Sequence, residues 1–246
     1  MNPRFLFFVA LALLTSCAAP RLQVVTLRSH QVAPRENAFV HETDTLRIAY
    51  DFFSPNGSVR FIIRNNWTKP LYLDWSKSAF IVGRDRISYW ADGMLLDPAL
   101  ASLQQGNVRP DERVTFIPPG TEIRQVKFLA KPGDQFRFKP TLRPEQDSTQ
   151  VQNSTGRTIT TPLLRYRFEE ASSPLIFRNY LTLSTDERFA QEFHLDHEFY
   201  ASEVEELDGR ALFGMNYTPA LLNGPLTNLS NRYNAPNKFL LRVRQQ

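Results

Sequence analysis

A chain of 246 residues, 42% hydrophobic and 22% charged with a formal net charge of +4, has the make-up of a globular protein, not a disordered one. The charge is mild and no run of five like charges occurs, which excludes a nucleic-acid footprint of the usual kind. A single cysteine cannot form an internal disulfide, so stability has to come from a buried core.

The chain opens with one positive charge at Arg4, an unbroken apolar run from Phe5 to Leu14, and small residues. This is the pattern of a cleaved signal peptide over residues 1–16, and the run is far short of the roughly 20 residues that span a bilayer. The segment Leu14-Thr15-Ser16-Cys17 resembles the lipobox of bacterial lipoproteins. The resemblance implies cleavage before Cys17, acylation of its thiol and anchoring by about three acyl chains, each buried methylene adding roughly 0.8 kcal/mol. Ala18-Ala19-Pro20-Arg21 brings no acidic cluster of the kind that accompanies surface export in Bacteroidetes lipoproteins. The expected address is therefore the outer membrane, facing the periplasm. Residues 17–44 read as a lipid-attached tether with one strand at Gln23–Leu27, and residues 45–246 as one elaborated β-sandwich domain.

Period-2 patterning dominates from there. Ser58–Arg64 sets Val59, Phe61 and Ile63 against Arg60 and Arg64, and Leu164–Phe168 and Lys238–Arg244 alternate in the same way. Glu192–Phe199 sets Phe193, Leu195 and Phe199 inward and His194, Asp196 and Glu198 outward. These are half-buried antiparallel strands. Further strands are expected at Leu46–Phe52, Leu71–Trp75, Ala79–Val82, Ile87–Trp90, Arg113–Ile117, Ile123–Leu129 and Leu175–Leu183. A slip in the inward phase between Ile123 and Val126 predicts a bulge. Ser54-Pro55-Asn56-Gly57 and Pro118-Pro119-Gly120 are turns between strands. Short helices are expected at Asp97–Leu103 and Thr218–Leu222, each with proline at the first turn and glycine beyond the end. Residues 147–161 are polar and read as a mobile loop or long hairpin. About ten strands with this spacing make an all-β, antiparallel sandwich.

Within Ile48–Leu129, the words Asn65-Asn66-Trp67, Pro70–Ile81 and Ile117-Pro118-Pro119-Gly120 resemble uncharacterised Bacteroidetes lipoproteins. The strand rhythm is similar to immunoglobulin-like sandwiches of the late-embryogenesis-abundant type 2 kind. This covers about a third of the chain and implies a fold and a compartment, with no activity or site residue to transfer.

Chemistry is sparse. His194, Asp196 and His197 form the nearest approach to a metal site, but on a strand His197 points away from the other two, and His30 and His41 fall in the tether. Asp74, Asp92, Glu203, Glu205 and Glu206 are the carboxylates available for acid–base work on a glycosidic bond. The outward pairs Arg60/Arg64, Arg165/Arg167 and Arg242/Arg244 could bind an anion if their strands are neighbours; cross-strand ion pairing is the plainer reading. Trp67, Trp75 and Trp90, with Tyr72 and Tyr89, could stack sugar rings, although Trp75 shares its face with Leu71 and Leu73 and reads as core. Asp44-Thr45-Leu46 and Asp147-Ser148-Thr149 are similar to the O-glycosylation signal of Bacteroidetes, which makes Ser148 and Thr45 acceptor candidates. No phosphate loop, dinucleotide fingerprint, GxSxG elbow or calcium loop is present, so no catalytic residue, metal or cofactor is assigned. The expectation is a non-enzymatic envelope lipoprotein acting as an adaptor or interaction module, with no nucleic-acid partner. The alternative is a glycan-binding lipoprotein using exposed tryptophans. A third reading, a hydrolase, requires two acids at catalytic separation.

Overall fold

The computed structural model describes residues 21–35, 38–90, 112–133, 135–152, 158–213, 222 and 233–243. In chain order the strands are β1 (Arg21–Arg28), β2 (Ala33–Arg35), β3 (Ala38–Glu42), β4 (Leu46–Asp51), β5 (Ser58–Asn65), β6 (Leu71–Val82) and β7 (Asp85–Ser88), then β8 (Val114–Ile117), β9 (Glu122–Leu129), β10 (Glu145–Gln152), β11 (Thr158–Arg167), β12 (Ile176–Ser184), β13 (Glu192–Asp208) and β14 (Lys238–Arg242). One short helix, α1 (Gly209–Phe213), follows β13. The chain is thus all-β and antiparallel, as its period-2 pattern requires. The helices expected at 97–103 and 218–222 lie outside the described residues, apart from Leu222, as do the signal segment and Cys17.

The strands make two sheets. One runs β2-β3-β4-β5-β9; the other has nine strands, in the order β10-β11-β13-β12-β6-β7, with β8 on β6 and with β1 and β14 attached through β13. Their facing sides share one core, with Ile48, Phe61 and Ile63 from the first sheet against Leu73, Phe177 and Phe199 from the second. Fully burying a side chain of this size contributes roughly 1.5–3 kcal/mol. Phe199 alone meets the rings of Phe39, Tyr50, Phe52 and Phe177 at 4.9–5.6 Å. Asn65 stitches the two sheets at one end: its amide donates to the carbonyls of Lys69 (2.8 Å) and Ile117 (2.9 Å), and its oxygen accepts from the Trp67 N–H (2.9 Å).

The strand pattern needs three corrections. The segment expected to be a tether is folded from Arg21 onward. β1 lies between β13 and β14, with Leu22, Val24, Val25 and Leu27 fully buried. Both its faces are covered: Val25 and Leu27 enter the main core, while Leu22 and Val24 join a second cluster with Leu163, Leu207, Leu212 and Tyr233. β2 and β3 then begin the other sheet. Second, of the two readings of the polar stretch 147–161, the hairpin holds and the loop is corrected: residues 147–152 and 158–161 belong to the antiparallel pair β10–β11, whose register runs from Glu145↔Arg165 to Gln152↔Thr158. Third, β6 joins two expected strands into one. Residues 75–78 form an extended bulge opposite Leu181, held by Asp74, whose Oδ1 accepts from the Ser76 N–H (2.9 Å) and hydroxyl (2.6 Å).

β9 carries a bulge, but not within Ile123–Val126, where the sequence places it and the register is regular; the extra residue is Lys127, between the pairs Arg60↔Val126 and Val59↔Phe128. It turns the ammonium toward the Tyr89 carbonyl, to which it donates; burial pulls the Lys127 pKa down. The Ser54–Gly57 turn joins β4 to β5 with Asn56 at φ 59° and Gly57 at φ 65°. A Cβ on Gly57 would stand 2.9 Å from Phe239 Cγ and 3.1 Å from the Ala130 Cβ. Gly57→Ala is therefore expected to cost about 1–3 kcal/mol, read as a lower urea midpoint, because left-handed strain and overpacking act together.

Candidate functional site

Trp75 is 2% exposed, and its Nε1 donates to Thr115 Oγ1 at 2.8 Å. It is a core residue and presents no ring to a sugar. Tyr89 is likewise interior. Trp67 and Trp90 are half-buried, each packed against the main core, and the Lys69 Nζ lies 5.1 Å from the centre of the Trp67 ring. Tyr72 faces outward beside Phe116, with ring centres 5.4 Å apart. The five aromatic rings therefore do not make one platform. Thr115→Val keeps the shape while removing the acceptor for Trp75; the expected cost is about 1–2 kcal/mol, measured by urea denaturation.

Arg60, Arg165 and Arg167 are spent on neighbours. Arg60 donates to Asp51 Oδ2 (2.7 Å) and the Phe53 carbonyl (2.6 Å). Arg165 binds Glu205 at 2.7 Å and Asp147, and lies 3.5 Å from Glu203; Arg167 takes Glu145 at 2.8 Å and Glu203 at 3.5 Å. β5, β11 and β14 are not adjacent strands, so their arginine pairs form no joint anion patch. The same contacts account for Glu203 and Glu205. Glu206 lies 3.1 Å from Arg21, and Asp74 serves the β6 bulge. Asp92 and Arg244 lie outside the described residues.

Ser148 is exposed on β10 and Thr45 is half-buried in the turn before β4.

The histidines give the unexpected result. As the alternation requires, His194 and Asp196 face outward, and His197 enters the core. Asp196 pairs with Arg178, and His194 stacks on Tyr180 at 5.1 Å. His197, 2% exposed, ends a hydrogen-bonded chain that crosses between the sheets. The Tyr89 hydroxyl donates to Asn179 Oδ1 (2.6 Å), the Asn179 amide donates to the Tyr50 oxygen (2.9 Å), and the Tyr50 hydroxyl donates to His197 Nδ1 (2.9 Å). Since Tyr50 already accepts from Asn179, its own proton goes to the imidazole, which is thus neutral with its proton on Nε2. Burial, with His41 adding to it, lowers the His197 pKa to about 4. Burial also raises both tyrosines well above their ordinary range.

Folding of β1–β3 brings the two remaining histidines to this corner. His41 lies 4.7 Å from His197, ring to ring, and donates from Nδ1 to the Gln31 carbonyl (3.2 Å). His30 stacks on Tyr200 at 5.9 Å and bonds Glu170 at 2.8 Å. Glu170 in turn hydrogen-bonds Glu198, whose pKa is raised by burial first and then by that contact, Arg178 opposing. Neither Glu170 nor Glu198 carries a local sequence signal; only the packing of the turn at Glu170–Ser172 on β13 pairs them. Two carboxyls in hydrogen-bond contact leave no room for a glycosidic bond, which needs about 5 Å or more between them. The chemistry this corner supports is the binding and release of protons.

No group of three or more potential metal ligands occurs among the described residues, and none of their helices is long and apolar enough to cross a membrane. No family model, no curated protein and no solved structure matches the chain.

Proposed function

We propose that this chain is a lipid-anchored envelope protein, held by acyl groups on Cys17 at the periplasmic face of the outer membrane. Its body, an elaborated immunoglobulin-like sandwich, serves as an adaptor or interaction module and performs no chemistry. The observation that carries the reading is how its polar side chains are used. Asp74, Glu203, Glu205, Arg165 and His197, the groups best suited to act on a substrate, are each bound to a neighbouring strand, bulge or tyrosine. The lipobox-like Leu14–Cys17 supports the address. Crosslinking in intact envelope followed by affinity capture should return the same protein partner repeatedly. Repeated capture of none would overturn the module, and a mature N-terminus without acyl mass would overturn the anchor.

The second reading is glycan binding at Trp67, favoured by a half-exposed ring with the Lys69 ammonium 5.1 Å from its centre. Titration with envelope polysaccharides should then change tryptophan fluorescence in the native chain and not in Trp67→Ala; a flat signal in both removes the reading. Exposed Ser148 is the better of the two O-glycan acceptors, because Thr45 is half-buried.

A further inference from the structure

We infer that the β10–β11 hairpin rests on the bilayer surface, as a second contact beside the acyl anchor. The inference depends on the anchored reading above, and it follows from register and covalent length.

β1 and β11 both run antiparallel to β13, so they point the same way. Arg21 pairs with Asp208, the last residue of β13, and Leu163 pairs with Leu207 one step before it. Pro162 therefore stands level with Arg21, on the other side of Asp208. Beyond that level β11 pairs with β10 alone, from Ser148↔Pro162 to Gln152↔Thr158. At about 3.4 Å per residue, the four steps from Pro162 to Thr158 carry the ribbon about 14 Å past the end of β13.

Cys17 precedes Arg21 by the same number of residues, and four extended residues reach at most about 14 Å. The reach of the anchor thus does not exceed the projection of the paired part of the ribbon. With the acyl chains in the bilayer and β13 standing away from it, the ribbon meets the headgroups. Its surface suits them: Ser148, Gln150, Thr158 and Thr160 are exposed, with hydroxyl and amide groups that can bond phosphate and glycerol oxygens. Arg21, Arg210 and Arg242 are exposed at the same end of the sheet; the first two also hold Glu206 and Asp208. The opposite pole is the β12–β13 turn at Glu187, which precedes β13; that strand spans about 50 Å.

The test uses the acylated full-length chain in vesicles of phosphatidylethanolamine and phosphatidylglycerol that carry a quencher on the headgroup. A fluorophore is attached to Thr160→Cys or to Glu187→Cys. Quenching is expected to be at least threefold stronger at 160 than at 187. A flexible twelve-residue insertion after Ala19, adding roughly 20 Å of reach, should bring the signal at 160 down to that at 187. Vesicle flotation separates the two claims. Cys17→Ser chains that float as well as the native chain overturn the anchor, and the apposition with it. Flotation that depends on Cys17, combined with equal quenching at both positions or with an insertion that changes nothing, overturns the apposition alone.

Discussion

Arg165→Ala is expected to lower the unfolding free energy by about 3–5 kcal/mol, seen as a lower urea midpoint at unchanged slope. The side chain of Arg165 is 12% exposed and that of Glu205 is 1% exposed. The guanidinium reaches Glu205 Oε1 through Nη2 (2.7 Å) and Nε (3.1 Å), and it also holds Asp147 on β10. Hydrogen bonding to Glu205 is the main reason its pKa lies above the ordinary arginine value. Truncation would leave Glu205 buried without the guanidinium that neutralises it, and desolvation of that charge is the large term. Two comparisons isolate the mechanism. Arg167→Ala, two residues along the same face, should cost less than about 1 kcal/mol, because Arg167 is 57% exposed and water screens its pairs with Glu145 and Glu203. Replacing both partners, Arg165→Met with Glu205→Leu, should recover most of the loss, since both desolvation costs disappear together. Equal effects of Arg165→Ala and Arg167→Ala would show that burial does not govern this network.

The contrast between those two arginines marks where the sequence is readable and where it is not. Alternation in Leu164–Phe168 places both arginines on one face, correctly, but says nothing of depth. Depth comes from β10, which packs beside β11 as a polar ribbon without an apolar face. With no hydrophobic alternation to decide between them, residues 147–161 read equally as a mobile loop or a long hairpin. For β1 the strand itself is legible at Gln23–Leu27, but its depth is not: Val24 and Val25 enter different cores and polar Gln23 is buried beside them, while nearness to the leader suggests a tether. The second half of β13 combines both effects. Val204 and Leu207 are buried on alternate sides of the strand with Glu205 beside them, and Glu203–Glu206 carries helix-forming composition. Strands with one wet face, such as β5, and turns such as Asn56-Gly57 are legible because their chemistry is local.

The candidate corner follows the same logic. That His194 and His197 diverge is a consequence of strand geometry and needs no structure. That Tyr50 takes up His197 depends on two residues 147 positions apart meeting between the sheets. His30 and His41 gain their place only once β1 to β3 fold against β13.

Acid should exploit that corner. Stability is expected to fall by about 3 kcal/mol as pH drops from 6.5 to 4, and His197→Gln should remove most of that fall. The sign comes from the direction of the shift. The folded chain holds the His197 pKa at about 4, against an ordinary 6.5. Between those values the unfolded chain binds the proton and the folded chain does not, so stability rises with pH through the window, is fully present above 6.5 and is lost as pH approaches 4. A shift of about 2.5 units corresponds to roughly 3 kcal/mol. The physical cause is the hydrogen-bond chain together with burial. A proton on Nδ1 displaces the Tyr50 hydroxyl proton, and Tyr50 then has two donors facing it and no acceptor for its own hydrogen, inside an aromatic core. Of the groups facing His197, His41 on β3 adds to the penalty and Asp196 opposes it, while Tyr50 on β4 and Asn179 on β12 are neutral. Glu198 acts in the other direction: its raised pKa means that the folded chain holds the extra proton, a contribution lost as pH rises through that value. Glu198→Gln should therefore steepen the net acid slope, while His197→Gln, whose side-chain oxygen can still accept from Tyr50, flattens it. Urea midpoints of the three chains at pH 8, 6, 5 and 4 decide the matter. Parallel curves for the native chain and His197→Gln would place the acid sensitivity elsewhere in the protein.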